Sequence, residues 1–133
     1  MLDTSICIYI MKKQPPSVAS RFDECRRGDV VISAITLAEL EYGVLASSAR
    51  SRKQNRRALN ALVQSIPVVS FGQPASQAYA MIRAAAPNRQ KDALDKLIAS
   101  HAKSLKLTLV TNNLRDFRNF PGVELENWTE ESD

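Results

Sequence analysis

Short β-branched apolar runs alternate along this chain with stretches whose apolar residues recur at helical spacing, and that alternation limits what it can fold into. Val30-Val31-Ile32, Val68-Val69 and Leu107-Thr108-Leu109-Val110 are bounded by polar or turn residues, with Met1-Leu2 and Val123-Glu124-Leu125 as weaker runs of the same kind. Runs this short and continuously apolar suit parallel strands covered on both faces. Between them, Leu59, Leu62, Val63 and Ile66 keep the i, i+3, i+4, i+7 spacing of a helix face, as do Leu94, Leu97, Ile98 and His101. Thr36-x-x-Glu39 reads as a capping box opening a helix that carries Leu37, Leu40 and Val44, and Pro74 after Gly72-Gln73 suits a first helical position. Strands that alternate with helices predict an α/β fold with a parallel sheet, formed by residues 1–133 as a single domain.

Composition narrows the setting. The chain is 44% hydrophobic, enough for a packed core. Cys7 and Cys25 form no CxxC pair, no basic and apolar leader opens the sequence, and the apolar run Ile6 to Met11 falls far short of the roughly 20 residues that cross a bilayer. A cytoplasmic protein without disulfides or membrane contact is expected. One histidine and two scattered cysteines also exclude a zinc site of the usual nitrogen and sulfur type. Residues 42–91 hold eight basic side chains and no acid, with Arg50, Arg52, Lys53, Arg56 and Arg57 close together, whereas residues 119–133 hold five acids and no base. The basic stretch suits a polyanion such as nucleic acid or, more plainly, a solvated helix face; the acidic stretch reads as a surface end.

In open α/β sheets a ligand sits beyond the carboxyl ends of the strands. Those ends offer Asp3-Thr4-Ser5, then Ser33, Thr36 and Glu39, then Thr111-Asn112-Asn113. A helical wheel centred on Leu94 puts Asp95 about 100° away at the border of the apolar stripe and His101 inside it, while Asp92 faces outward toward an exposed Lys96. Each acid also has a plain structural role open to it. Asp3 would cap a helix starting near Ser5, Glu39 would complete the capping box, and Asp116 would be an exposed charge at a helix start. His101 reads as a buried, hydrogen-bonded core residue; Tyr9, Met11 and Phe22 read as core or interface.

Four segments together resemble one family. Met1-Leu2-Asp3-Thr4, the run Ser33-Ala34-Ile35-Thr36-Leu37-Ala38-Glu39-Leu40-Glu41-Tyr42-Gly43, the run Asp95-Lys96-Leu97-Ile98-Ala99-Ser100-His101-Ala102, and Val110-Thr111-Asn112-Asn113-Leu114-Arg115-Asp116-Phe117 resemble the PIN-domain nucleases, and most of all the VapC-type toxins of bacterial toxin–antitoxin pairs. The resemblance implies a three-layer α/β/α sandwich and Mg²⁺- or Mn²⁺-dependent endoribonuclease activity in which Asp3, Glu39 and Asp95 ligate the cation. Asn113 takes a fourth position where many members carry aspartate, with Asp116 nearby, and Ser5 stands where asparagine is frequent. Thr4, Ser5, Thr111 and Asn112 would orient the ligands. The implied partners are RNA, tRNA among the candidates, a VapB-like antitoxin and a second copy of the chain. The rival expectation is a non-catalytic RNA-binding or regulatory α/β module. A receiver domain fits poorly, because Asp3 has no adjacent acid and no lysine follows Thr111.

Overall fold

The computed structural model describes residues 1–87 and 93–130. Its strands pair in parallel. β1 (Ile32–Ser33) lies beside β2 (Val68–Val69) with Ile32 opposite Val68, and β3 (Leu109–Val110) lies beside β4 (Leu125–Glu126) with Leu109 opposite Leu125. The first residues of the chain join these pairs: the Leu2 N–H donates to the Val31 carbonyl at 3.0 Å, and the Asp3 N–H donates to the Val110 carbonyl at 2.9 Å. All five apolar runs therefore lie in or beside the sheet. Helices fill the connections, as parallel pairing requires. α1 (Thr4–Lys12) and α2 (Pro16–Asp23) precede β1, and α3 (Ala34–Ala46) and α4 (Ala49–Ser65) join β1 to β2. α5 (Gln73–Ala85) and α6 (Ala93–Ser104) join β2 to β3, and α7 (Leu114–Phe117) leads to β4.

Side chains along extended backbone point alternately to opposite faces, and this chain uses both. Leu2, Ile32 and Val110 enter one core with Ile6, Leu40, Leu59 and Leu62, while Met1 and Leu109 enter a second with Ile82, Ile98, Ala102 and Phe117. One core therefore lies under α1 to α4 and the other under α5 and α6. That is the expected three-layer arrangement. No helix among the described residues is long and apolar enough to cross a membrane.

Several local expectations are corrected. The start of α3 is capped by Ser33, whose hydroxyl accepts the Ile35 N–H at 3.0 Å, so Thr36 is already inside the helix and Glu39 is not part of a capping box. Ser33 wins because it ends β1, where the backbone is still extended. Pro74 takes the second helical position, since Gln73 opens α5. Leu94 is not the centre of a buried stripe: it is 46% exposed. Lys96, expected outside, is 3% exposed, and burial in the middle of α6 runs almost all round, from Lys96 through Ile98, Ala99, Ser100 and His101 to Ala102. Asp92 lies outside the described residues. The acidic end is not simply surface either. Glu126 pairs with Arg21 and accepts the Trp128 indole N–H at 3.0 Å, with Trp128 buried.

Candidate active site

The carboxyl ends of the strands gather the polar residues. Asp3 ends the first extended segment and caps α1, its Oδ1 accepting the Ile6 N–H at 2.9 Å. Capping is therefore real at Asp3, and the helix starts at Thr4. The residue is 3% exposed, and burial pushes the pKa of its carboxyl up. Hydrogen bonds from the Thr111 hydroxyl and the Ile6 and Ser5 amides draw it back, and the neighbouring Glu39 charge raises it again. Ser5 thus acts on Asp3 through its backbone.

Glu39 stands in the second turn of α3, where its Oε1 accepts the Thr4 hydroxyl proton at 2.8 Å. Thr4 belongs to α1, so this bond ties the two helices that carry the acids. One turn before Glu39, about 4.5 Å along the helix axis, Thr36 is fully buried and its hydroxyl has no hydrogen-bond partner. An unsatisfied buried hydroxyl costs on the order of 1–3 kcal/mol. Nothing in the sequence distinguishes Thr36 from a helix cap.

The third strand end adds amides. The Thr111 hydroxyl oxygen accepts the Asn113 N–H at 3.0 Å, and Asn113 Nδ2 donates to Asp116 Oδ2 at 2.6 Å. Asp116 is half-buried and tied to Asn113, not an exposed helix-start charge as expected. Asn112 Nδ2 donates to the Tyr9 hydroxyl at 2.9 Å, leaving its buried Oδ1 without a partner. Asp95 sits half-buried in the first turn of α6 and takes part in a polar interaction of its own. The structure thus brings Asp3, Thr4, Glu39 and Thr111 together, and separately Asn113 and Asp116. Among the described residues no three Asp, Glu, His or Cys side chains converge closely enough to hold a metal ion.

The buried histidine has a different character. His101 Nδ1 lies 2.8 Å from the Ser33 hydroxyl oxygen, and the ring also hydrogen-bonds to the Ser70 backbone. Since Ser33 already accepts the Ile35 amide, its hydroxyl proton is available for Nδ1, which leaves the other ring nitrogen as the donor to Ser70. Burial pushes the His101 pKa down, holding the ring neutral. It joins α6, the cap of α3 and the segment after β2.

The basic run is divided. Arg56 makes a paired contact with Glu41 at 3.1 and 2.7 Å, and Arg52 donates to the Leu45 and Ser47 carbonyls at the end of α3. Arg50, Lys53 and Arg57 remain exposed on α4. Beside Glu39 a cavity of about 630 Å³ opens between α1, α3 and α4, and Thr4 and Glu39 form part of its wall.

Comparison with known proteins gives the family. The family model of the PIN domain matches residues 1–123. The chain is 36% identical over 133 residues to Ribonuclease VapC2 of Rickettsia felis, covering 96% of each, and 37% identical over 131 residues to the tRNA(fMet)-specific endonuclease VapC of Shigella flexneri, covering 97% of each. A chain in the crystal structure of VapBC2 from Rickettsia felis bound to a DNA fragment from their promoter matches with a TM-score of 0.84 at 35% identity, over 96% of this chain and 97% of that one. The chain belongs to the PIN-domain family and, within it, to the VapC ribonucleases.

Proposed function

We propose that this chain is a Mg²⁺- or Mn²⁺-dependent endoribonuclease that acts as the toxin of a toxin–antitoxin pair, with Asp3, Glu39 and Asp95 as its cation ligands. The observation that carries the reading is the Asp3 carboxyl buried at a strand end, with the Glu39 charge near enough to raise its pKa and Glu39 itself tied to α1 through Thr4. A neighbouring negative charge raises a carboxyl's proton affinity, and a bound cation relieves that repulsion. The donor set fits a hard cation: it is all oxygen, with no competing nitrogen or sulfur, and the orphaned Thr36 hydroxyl and Asn112 carbonyl oxygen are the kind of groups that bound water satisfies. When bound, such a cation supplies a water of lowered pKa and neutralises charge building on the phosphate oxygens.

The chain's own residues prepare the site. The Ile6 and Ser5 amides and the Thr111 hydroxyl hold the Asp3 carboxylate in one orientation, and Thr4 occupies one oxygen of Glu39. Asn113 fixes Asp116 as a further carboxylate at the rim. These groups restrict rotation before any substrate arrives. The relatives support RNA as substrate, and the tRNA specificity named for the Shigella flexneri protein makes tRNA the first RNA to test here. The VapBC2 complex likewise supports a VapB-like antitoxin as partner, and we extend the reading to a homodimer.

The test is incubation of the purified chain with total RNA, with and without Mg²⁺ or Mn²⁺, followed by mapping of cleaved ends. Defined ends that require the cation and vanish in Asp95→Asn support the reading. RNA binding without cleavage under any cation returns the chain to the class of non-catalytic RNA-binding modules.

A further inference from the structure

The cavity beside Glu39 has a composition of its own. Ile8, Met11 and Val44 give it an apolar wall, Lys12 and Lys13 stand at one edge, and Gln54 and Asn55 of α4 stand at another. Lys13 ends α1 in a left-handed conformation, with φ of 59°, and its N–H is taken up by the last turn of the helix. Among the described residues neither the Gln54 nor the Asn55 side-chain amide is used in a hydrogen bond within the chain. Gln54 is exposed and Asn55 half-buried, so both amides are open to a ligand entering the cavity, and each offers two donors and an acceptor in fixed directions.

We infer that this cavity receives the unstacked nucleobase next to the scissile phosphate, with Gln54 and Asn55 reading its edge and Lys12 and Lys13 holding the flanking backbone phosphates. The inference rests on the nuclease reading above and adds the part of the site that selects sequence. Three features favour RNA as the occupant. Glu39 and Thr4 belong to the cavity wall, so a chain that places its phosphate at the carboxylates has its adjacent nucleotide at the cavity mouth. Lys12 and Lys13 of the lining are basic, and α4, which supplies Gln54 and Asn55, also carries exposed Lys53 and Arg57 within a stretch that holds no acid from 42 to 91. Single-stranded RNA is recognised by splaying bases onto apolar surfaces and hydrogen-bonding their edges, and paired amide groups are suited to that readout.

The experiment uses short oligoribonucleotides that span the mapped cleavage site, each nucleotide varied through all four bases. Binding is measured on the Asp95→Asn chain, which on the nuclease reading should not cut, and cleavage on the wild type, each with and without the paired substitution Gln54→Ala and Asn55→Ala. Both positions are on the surface side of α4, so the fold should hold, and a melting curve checks it. With the amides present, one position next to the cut should discriminate between bases by roughly tenfold. Without them discrimination should fall to about twofold or less, with KM affected more than kcat. Lys12→Ala and Lys13→Ala should each lower the slope of log affinity against log salt by about 0.7 without changing base preference. Base preference unchanged by the paired substitution overturns the inference. So does a loss confined to antitoxin affinity with RNA ends unchanged, which assigns the cavity to a protein segment. If the wild type leaves RNA intact, the nuclease reading itself fails; cleavage with unaltered preference removes the base-reading cavity alone.

Discussion

Asp3, at the end of the first extended segment, and His101, in α6 against the ends of β1 and β2, are both buried titratable residues, and their surroundings are opposite. His101 has a partner for each ring nitrogen, Ser33 on one side and Ser70 on the other, and an edge contact with Phe71 at a 5.4 Å centroid distance. Asp3 is crowded by a second carboxylate, and the helix that brings Glu39 to it also buries a hydroxyl with nothing to bond. A buried polar group whose needs are met within the chain contributes to stability. One placed among like charges and orphaned donors costs stability, and that cost is recovered when a ligand arrives. The contrast separates the structural pole of the sheet from the working one.

The strongest way to break the comparison is Glu39→Gln. Since Ser33 caps α3, the substitution leaves the helix start alone and removes one charge from the crowded pair. Melting without metal should stay equal or rise, the gain in melting temperature on adding Mn²⁺ should shrink, and RNA cleavage should fall by about a hundredfold or more. Wild-type cleavage together with a wild-type Mn²⁺ shift would move the site to another acid, with Asp116 the first to test.

A conserved-volume change sharpens the same contrast at lower amplitude. Thr36→Val removes the orphaned hydroxyl and little else, so the metal-free protein should gain about 1 kcal/mol. If the hydroxyl serves the ligated state, cleavage should drop about tenfold, chiefly in kcat, and Thr36→Ser should restore it. Equal Mn²⁺ shifts and rates in Thr36→Val and wild type would show that the hydroxyl is only packing.

At the structural pole the expectation reverses. His101→Asn should destabilise the fold by about 2 kcal/mol while leaving the Mn²⁺-induced shift intact. The pH dependence follows from the lowered pKa. The folded state holds the ring neutral, whereas the unfolded chain takes up a proton near the ordinary value of 6.5, so stability falls as pH drops below about 6.5. That extra slope should be absent in His101→Asn, and denaturant midpoints from pH 7.5 to 5 measure it.

The smallest effects belong to the basic helix. Arg56 is already held by Glu41 and Arg52 by the carbonyls ending α3, so Arg56→Ala should change the salt dependence of RNA binding less than Lys53→Ala or Arg57→Ala, each of which should lower the slope by about 0.7. Equal slopes for all three would show that Glu41 does not withdraw Arg56 from the surface.

Much of this was legible in advance because it depends on spacing. Short continuous apolar runs mark buried strands and a 3.6-residue period reports which residues share a helix face, and these two signals located the five extended runs and the helices of Leu59 and His101. The same logic, applied to the strand ends, picked out Asp3, Glu39 and the Thr111–Asn113 turn. What failed were statements about neighbours. Whether Thr36 or Ser33 caps α3 depends on where β1 ends. Leu94 is exposed and Lys96 buried because α6 is packed on nearly all sides through its middle, a matter of what surrounds the helix and not of its own periodicity.

The sequence by itself determined the order of the elements and the parallel α/β layout, since these follow from local periodicity, while Asp3, Glu39 and Asp95 were named as ligands only through the resemblance to a family. Only the tertiary structure decided that the Glu39 charge reaches the buried Asp3, that Thr4 bridges to Glu39 and that Ser33 and Ser70 supply His101. Each of these pairs residues far apart in the chain, such as Thr4 with Glu39 and Ser33 with His101. Hydrogen bonding and charge repulsion act over a few ångströms in space, and distances of that kind are set by packing, to which spacing along the chain is blind.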